Sequence, residues 1–417
     1  MSDIDEQLAL LRRRVARIDR KYQDDAPRVR SGPRQAPSRY FIEEWSSGRV
    51  VETALGMHFE TERIWQRHRR HGSVDISNLA ELPADLLAAL SEGDVPESPP
   101  QRWVFLDTET TGLAGGTGTC AFLVGVGHIA AEGFVLRQFF MRDYGEEASL
   151  LAALTEHLAQ FDTLITYNGR AYDQPLLETR YRLARQRPPF SHLKHVDLLH
   201  GARRLWKLRL ESCRLIELEN QILGVEREGD LPGEMIQYVY FEYLRTREAF
   251  RLQPIFHHNA TDILTLACLT AIVPFAFRAA AEAGLAHGAD MVGIARWLRT
   301  AGRVDDAIAL MRRAVDRGLP DALLFRTLWD IAALERKSGR DQAALAILTD
   351  LAQSRNPFRA AALEELAKHY EHRERNYAMA LEFVRTALAL EDSEALRKRE
   401  ARLKDRLARP RPACLLH

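Results

Sequence analysis

Four carboxylates are the residues of this chain best suited to chemistry. Asp107 and Glu109 directly follow an apolar run of strand-forming residues, and the other two are Asp173 and Asp262. An Asp-x-Glu spacing places two like charges on one face of a strand. Four carboxylates gathered in one place would repel each other and lose hydration. Divalent cations relieve both costs, and oxygen ligands without cysteine favour Mg²⁺ or Mn²⁺. Two such ions in one site serve phosphoryl chemistry by clamping the attacking and leaving oxygens.

The elements that must position these carboxylates are a sheet and its flanking helices. Three β-rich runs separated by glycine-bearing turns predict a meander, and alternating helix and strand patterns follow it. The predicted strands cover residues 103–108, 121–129, 134–141, 163–167 and 195–199, and the predicted helices between them cover 146–160 and 174–185. This order predicts an α/β fold with a mixed sheet and helices on both faces.

Linker-like composition divides the chain into four segments. We expect an N-terminal helix and a basic, partly extended arm in residues 1–100, the sheet domain in 101–285, a helical repeat domain in 286–407 and a tail in 408–417. Within the repeat domain, similar runs begin at Gly302, Gly339 and Asn376, at spacings of 37 and 37 residues. Such runs are typical of tetratricopeptide-like repeats, whose usual period is about 34. An ordinary helical bundle is the alternative.

Two basic regions are candidates for phosphate contact. Residues 63–71, with four arginines and two histidines, are predicted to form one basic helix face, with plain solvation as the alternative. The densest basic region runs from residue 180 to residue 209. Some of its side chains are expected to line a groove for a phosphate backbone; they are Arg180, Arg182, Arg185, Arg187, Lys194, Arg203, Arg204, Lys207 and Arg209.

The overall composition excludes several classes of protein. The 58 basic residues cancel the 58 acidic ones, so no global field attracts nucleic acid and any such partner must be held by local patches. Four scattered cysteines without a Cys-x-x-Cys pair argue against a zinc site. The N-terminal residues lack a signal-peptide pattern, and no apolar stretch reaches the ~18 residues of a membrane span. We therefore expect a cytoplasmic protein without a membrane partner.

Three motifs in order resemble those of the DEDD superfamily of exonucleases, which have a ribonuclease-H-like fold, and most closely its YprB-like branch. Residues 105–112 (Phe-Leu-Asp-Thr-Glu-Thr-Thr-Gly) resemble the first motif, 168–173 (Asn-Gly-Arg-Ala-Tyr-Asp) the second and 257–262 (His-His-Asn-Ala-Thr-Asp) the third. The resemblance extends over residues 102–275, a little under half of the chain. In that branch the exonuclease domain is coupled to tetratricopeptide-like helices.

The resemblance implies a metal-dependent 3′→5′ exonuclease that acts on ends of single-stranded DNA or RNA with two Mg²⁺ or Mn²⁺ ions. It implies that Asp107 bridges both ions, that Glu109 and Asp262 complete the site of the ion that activates water, and that Asp173 holds the second ion. It also implies that the terminal nucleotide approaches the backbone just after the acidic pair, at Thr110, Thr111, Gly112 and Leu113. Asn168 is a candidate nucleotide contact, with a structural turn as the alternative.

A histidine suits the role of general base because its ordinary pKa of about 6.5 lies near neutral pH. Family members with a histidine place it five residues before the last Asp, which indicates His257. Members with a tyrosine place it four residues before, which indicates His258. Four residues back along a helix lies on nearly the same face. A helix at this point would favour His258, and a loop would leave His257 open.

Three other functions are compatible with the same residues. The chain could be a catalytically inert nucleic-acid-binding module, an endonuclease that uses the same metal site, or a scaffolding repeat protein with a vestigial domain. Fold alone does not fix substrate geometry. The presence of all four carboxylates and two candidate bases favours an enzyme. In each case the repeats offer a docking surface for a protein partner or for substrate.

Overall fold

The structure is a computed structural model and describes residues 40–91, 95–112, 118–280 and 282–408. Two compact units divide these residues. Arg204–Arg209 and the residues after Ala279 make up the second unit, and the rest make up the first. Residues 1–39, where the sequence predicts the N-terminal helix and the beginning of the basic arm, lie outside the described residues, as do Leu113 and the tail beyond residue 408.

A mixed sheet of seven strands is the centre of the first unit, with the strand order β1-β2-β7-β6-β5-β8-β9. The strands, including a separate hairpin of β3 and β4, are β1 (Gly48–Thr53), β2 (Gly56–Gln66), β3 (Arg70–His71), β4 (Val74–Asp75), β5 (Trp103–Thr110), β6 (Ala121–Ala130), β7 (Gly133–Phe140), β8 (Thr163–Thr166) and β9 (Lys194–Asp197). Strands β1, β2, β7, β6 and β5 pair antiparallel, whereas β5, β8 and β9 pair parallel. The predicted α/β mixed sheet is confirmed.

Helices pack around this sheet. In chain order up to residue 279 they are α1 (Ala88–Ser91), α2 (Glu147–Leu158), α3 (Asp173–Leu183), α4 (Leu198–Trp206), α5 (Leu215–Leu218), α6 (Gly233–Thr246), α7 (Gln253–Thr270) and α8 (Val273–Arg278). Helix α7 packs on β5, β6 and β7, and most of its side chains are buried. The segment Ala249–Arg278 is long and apolar enough to cross a membrane by composition, but 72% of its most apolar window is buried inside the folded unit. This segment is therefore buried to the extent that is typical of a helix in a protein core.

The sheet begins earlier in the chain than the boundary at residue 101 that the sequence indicates. Strands β1 and β2 form a hairpin, and β2 pairs antiparallel with β7 from Phe59 to Gln66. Residues 63–66 are therefore strand rather than part of a basic helix face. The burial pattern of β2 explains the difference, because four consecutive buried residues are followed by three exposed ones and no alternation with period two is visible.

The second unit is helical in its described residues from 288 to 408. Its helices are α9 (Gly288–Thr300), α10 (Val304–Asp316), α11 (Asp321–Lys337), α12 (Asp341–Gln353), α13 (Arg359–His372), α14 (Tyr377–Leu388) and α15 (Glu394–Ala408). Consecutive helices pack on one another. The turns inside the first three pairs contain Gly302, Gly339 and Arg375, each with a positive φ. These turns recur at nearly the 37-residue spacing of the sequence, and the tetratricopeptide-like character stays a prediction.

Candidate active site

Asp107 and Glu109 lie near the end of β5, a strand in the interior of the sheet. Because side chains two positions apart share a face of a strand, both carboxylates lie on the same side of the sheet. Beyond Glu109 the register between β5 and β6 shifts, so the strand leaves the sheet just after the acidic pair. The Glu109 side chain is nearly buried. Local strand geometry therefore fixes the spacing of this pair, as the sequence predicts.

Asp173 reaches the same edge of the sheet from a different segment. Strand β8 runs parallel to β5, so both strands end at the same edge, and α3 begins with Asp173 shortly after β8. The Thr108 hydroxyl donates a hydrogen bond of 2.5 Å to Asp173 Oδ1. A carboxylate in the first turn of a helix is stabilised by the unpaired N–H groups there. Strand, turn and helix together hold Asp173 beside β5.

Helix α7 carries Asp262 to the same place. Three residues before Asp262 on the same helix face, Asn259 is fully buried and its Nδ2 donates to Asp107 Oδ2 at 2.9 Å. Close approach of α7 to the sheet requires the glycine opposite Asp107 on β6. A Cβ on Gly125 would lie 2.2 Å from Asn259 Oδ1 and 2.4 Å from Ile263 Cδ1. Asn259 is part of the third sequence motif but received no role there, although a polar residue on the buried face of an apolar helix is a usable signal.

The electrostatics of the four carboxylates indicate that they converge. Burial, followed by the charges of Asp262, Glu109 and Asp173, raises the pKa of Asp107 well above its ordinary value. Burial also raises the pKa of Glu109 to about 8, with His258 opposing and Asp262 and Asp173 adding to the rise. The pKa of Asp173 is raised by burial to about 6, against the hydrogen bond from Thr108. Side chains from three distant segments therefore share one buried, acidic site.

A buried arginine that the sequence analysis did not single out enters this site. The guanidinium of Arg227, only 7% exposed, donates to Asp262 Oδ1 at 2.5 Å, to Asp230 Oδ2 at 3.1 Å and, through Nε, to Glu219 Oε1 at 2.9 Å. Glu219 is fully buried and also accepts a hydrogen bond from the Thr265 hydroxyl at 2.6 Å. The guanidinium group of Arg227 thus ties residues 219–230 to α7.

The two candidate bases have different surroundings. His258 donates through Nδ1 to Asp230 Oδ2 at 2.8 Å, and its Nε2 lies 3.5 Å from Asp262 Oδ2. Burial lowers its pKa, but the hydrogen bond to Asp230 and the charges of Asp262 and Glu109 outweigh burial and raise that pKa to about 9. His257 is exposed and faces away from the carboxylates into a cleft between α7 and β2. Because α7 has already begun at Gln253, the helical spacing applies and brings His258 to the site.

The remaining predicted site residues lie around the strand ends. Thr110 Oγ1 donates to the Gly112 carbonyl at 2.9 Å, and Thr111 exchanges hydrogen bonds with the backbone of Cys120. Asn168 has a positive φ of 68°, and its N–H donates to Asp197 Oδ1 at 2.8 Å. Asp197 also accepts from the N–H groups of residues 170 and 199, so this carboxylate caps backbone rather than facing the site.

Part of the basic region 180–209 is already paired. Arg180 Nε donates to Glu147 Oε1 at 2.6 Å, and Arg209 Nε donates to Asp290 Oδ1 at 2.9 Å. Arg182 pairs with Glu178 at 3.0 Å on the exposed face of α3. These three guanidinium groups have carboxylate partners within the fold, so they contribute less to any phosphate groove than the sequence alone suggests.

The donor set fits a hard divalent cation by its chemistry. The four converging side chains offer oxygen ligands alone, which suits Mg²⁺ or Mn²⁺. Their raised pKa values show that the site favours added positive charge, whether protons or cations. Within the described ranges, no group of three His, Cys, Asp or Glu side chains has the geometry of a ready-made metal cage. Arg227 contacts Asp262 Oδ1, and an ion bound to that oxygen would replace this contact.

The raised pKa values predict how stability depends on pH. A group whose folded pKa exceeds its unfolded value contributes stability that is lost as the pH rises through the folded pKa. This applies to Glu109, with a pKa of about 8, and to His258, with a pKa of about 9. We expect the melting temperature in EDTA to fall between pH 7 and pH 9, and to fall less with Mn²⁺ present because the cation neutralises the site.

Two buried histidines with shifted pKa values do not mask this effect. Burial lowers the pKa of His157 and of His195 to about 4, so both finish their titration below pH 7. Differential scanning fluorimetry of wild type and Glu109→Gln from pH 6 to pH 9 provides the measurement. The variant should show the shallower fall, and equal slopes for the two proteins would contradict the electrostatic account.

Comparison with known proteins now defines the class. Residues 104–273 match the family model described as RNase_H superfamily, a range that contains all four carboxylates and both histidines. The chain is also 31% identical over 386 residues to the "Uncharacterized protein YprB" of Bacillus subtilis (strain 168), covering 87% of this chain and 90% of that protein. The chain belongs to the YprB family of ribonuclease-H-like proteins.

Proposed function

We propose that this protein is a metal-dependent nuclease, specifically a 3′→5′ exonuclease that hydrolyses phosphodiester bonds at the ends of single-stranded DNA or RNA. The observation that carries the proposal is the convergence of four carboxylates from three segments in one buried site at the strand ends. Buried like charges are costly unless a cation or a proton accompanies them. An RNase H superfamily domain, which implies a nucleic acid substrate, is the setting in which such a site is expected.

The proposed mechanism assigns roles to this chain's own residues. Asp107 would bridge two ions, Glu109 and Asp262 would complete one ion site, and Asp173 would hold the other. Bound Mg²⁺ or Mn²⁺ supplies the positive charge and Lewis acidity that phosphodiester hydrolysis needs. Asn259 keeps the Asp107 carboxylate in position through its hydrogen bond to Oδ2. The chain fixes ligand positions, which is the larger part of catalysis by preorganised charge.

His258 is the proposed general base. Asp230 accepts the hydrogen bond from Nδ1 and thereby fixes the ring orientation. Against the lowering by burial, the hydrogen bond to Asp230 and the charges of Asp262 and Glu109 raise the pKa of His258. Cations bound at Asp262 and Glu109 would remove those charges, lower this pKa and free Nε2 to take the proton from the attacking water. His257 lacks this orientation because its ring faces the neighbouring cleft. The terminal nucleotide would lie along the backbone of residues 110–112, with Asn168 nearby. The C-terminal helices would bind a protein partner.

One observation favours a catalytically inert nucleic-acid-binding protein instead. Arg227 already neutralises Asp262, and a permanent guanidinium there would exclude an ion. The two functions differ in what they require of the contact between Arg227 and Asp262. A nuclease requires Arg227 to release Asp262 when Mg²⁺ or Mn²⁺ binds, whereas an inert module retains the contact and gains no stability from either ion.

The decisive experiment is a hydrolysis assay on single-stranded DNA and RNA labelled at the 5′ end, in Mg²⁺, Mn²⁺ or EDTA. An exonuclease of the proposed polarity shortens the labelled strand one nucleotide at a time from its 3′ end and releases mononucleotides. An endonuclease gives internal fragments from the start. Binding without any cleavage in either metal would favour the inert module.

The two histidines provide matched variants for the base assignment. His258→Ala should reduce hydrolysis by about 10²- to 10⁴-fold, the usual contribution of a general base. His257→Ala should retain the chemical step, because its ring does not contact the carboxylates. A larger loss in kcat for His257→Ala than for His258→Ala would overturn the assignment.

A further inference from the structure

A second polar site lies beside the carboxylates, in the cleft between β2 and the beginning of α7. The cleft has a volume of about 460 Å³, within the usual range of ligand sites. It exists because β1 ends its pairing with β2 at Thr61, which leaves the rest of β2 open on that side. The lining residues used below are Thr61, Arg63, Gln138, Gln253 and His257, and among the described residues the lining contains one carboxylate, Glu62.

Two groups in this cleft are suited to an anion. The guanidinium carbon of Arg63 lies 4.7 Å from the ring centre of Trp65, which holds the side chain in place. Among the described residues, neither Arg63 nor His257 has a carboxylate partner within 4 Å. Burial lowers the pKa of His257, and the nearby charge of Arg63 lowers it further, whereas the charge of Asp230 raises it. Gln253 adds a side-chain oxygen that is buried and finds no hydrogen-bond donor in the part of the chain that the structure describes.

The floor of the cleft is connected to the candidate catalytic carboxylate by a row of buried polar groups. Thr61, Gln138, Gly125 and Asp107 are cross-strand neighbours on β2, β7, β6 and β5. The Thr61 hydroxyl donates to Gln138 Oε1 at 3.1 Å, and Gln138 Nε2 donates to Asn259 Oδ1 at 2.9 Å. Asn259 lies over Gly125 and donates to Asp107 Oδ2 at 2.9 Å. The cleft and the carboxylates thus share one hydrogen-bonded chain.

This geometry sets the separation of the two sites. The row spans three strand spacings of about 4.8 Å, so Thr61 lies about 14 Å from Asp107 across the sheet. Helix α7 covers this row, so a nucleic acid strand must pass around the helix. At about 3.4 Å per stacked nucleotide, the path is at least about four nucleotides long. A strand with its end at the carboxylates would therefore reach the cleft with an internal phosphate.

We propose that this cleft is a second nucleic-acid contact, in which Arg63 and His257 bind a backbone phosphate at least about four nucleotides from the bond that is hydrolysed. The inference rests on the proposed nuclease function. Arg63 supplies the permanent charge, His257 a hydrogen-bond donor, and Gln253 an amide for the adjoining sugar or base. The contact makes binding dependent on strand length.

The test compares Arg63→Gln with Arg49→Gln, which removes the same charge. Arg49 lies on β1 opposite Glu60, on the sheet face away from the cleft. Fluorescence anisotropy with a labelled single-stranded decamer, in EDTA, gives Kd as a function of salt concentration. Arg63→Gln should raise Kd about fivefold near 100 mM salt and reduce the slope of log Kd against log salt by about 0.7, the value for one lost phosphate contact on a single strand. Arg49→Gln should leave both unchanged.

The length series separates this contact from the catalytic site. For a metal-dependent reaction, Arg63→Gln should lower kcat/KM on the decamer and leave hydrolysis of a dinucleotide unchanged. If wild type cleaves the decamer but Arg63→Gln binds it with an unchanged Kd and salt slope, the cleft proposal fails and the nuclease proposal stands. If Arg63 controls binding but no metal supports cleavage, the nuclease proposal fails and the cleft remains a nucleic-acid site. Equal effects of Arg63→Gln and Arg49→Gln on Kd would contradict the proposal, because they would show that Arg63 contributes only nonspecific positive charge.

Discussion

Asp107→Asn is expected to lower metal-dependent hydrolysis by at least about a thousandfold while leaving the folded protein no less stable. The metal ion contributes several kcal/mol to the transition state, and each 1.36 kcal/mol is a factor of ten in rate. The amide keeps the size of the carboxylate and can still accept the hydrogen bond from Asn259. It also removes one of four mutually repelling charges in a buried site. The melting temperature in EDTA should therefore rise.

Three measurements distinguish this effect from simple damage. The variant should lose hydrolysis, keep or raise its melting temperature in EDTA, and lose the stabilisation by Mn²⁺ that wild type gains from ion binding. Asp405→Asn, an exposed change on α15, is the matched control and should alter none of the three. Hydrolysis by Asp107→Asn within about tenfold of wild type would place the chemistry elsewhere.

The sequence predicted those parts of the fold in which a local run of apolar residues is also buried in the structure. Strands β5, β6 and β7 are apolar runs between glycine-bearing turns, and each lies within two residues of its predicted bounds. Their side chains are buried on both faces or nearly so, which produces the continuous apolar signal of an interior strand. The Asp-x-Glu spacing on β5 follows from strand geometry alone.

The hairpin of β1 and β2 could not be predicted in the same way. Its strands carry charged residues on an open side, and their place in the sheet depends on pairing with β7, about 75 residues later in the chain. A basic stretch such as residues 63–71 has similar composition in a helix or a strand. Only the long-range pairing selects the strand, and no local signal encodes it.

The residues of the candidate site likewise fall into those that a local motif reveals and those that only long-range contacts reveal. The four carboxylates and the histidine pair were recognised because motif spacing is local. Arg227, Asp230 and Gln138 were missed because each contributes through contacts with residues more than 25 positions away. The choice between His257 and His258 depended on where α7 begins, and the structure places that beginning at Gln253. Sequence spacing identified the candidate ligands, and tertiary structure was needed to find the residues that orient their side chains.

Arg227→Gln is expected to destabilise the protein by about 3–5 kcal/mol, the usual cost of removing one partner from a buried ion pair. The change leaves Glu219 fully buried without its guanidinium partner and removes a counter-charge from Asp230 and Asp262. Residues 219–230 would then lose the ion pairs that connect them to α7 through Arg227. Urea unfolding of wild type and variant in EDTA gives the difference in free energy.

The control is a solvent-exposed arginine–glutamate pair, in contrast to the buried pairs of Arg227. Arg182 and Glu178 form an exposed pair four residues apart on α3, and Arg182→Gln should cost less than about 0.5 kcal/mol. A double variant, Arg227→Gln with Glu219→Gln, removes the stranded charge together with its partner. It should be more stable than Arg227→Gln alone, because the penalty of the single change comes mainly from the unpaired buried carboxylate.

Binding of a divalent cation should depend on Arg227. In wild type the guanidinium and an incoming ion compete for Asp262, so Arg227→Gln should gain more stability from Mn²⁺ than wild type does. Thermal melts across a Mn²⁺ titration measure that difference directly. If Mn²⁺ stabilises wild type and not the variant, the arginine supports the ion site rather than competing with it. If the ion stabilises only the variant, Arg227 is the permanent cation of this site; if it stabilises neither protein, the carboxylates hold no ion. Either result makes the inert nucleic-acid-binding function the better account.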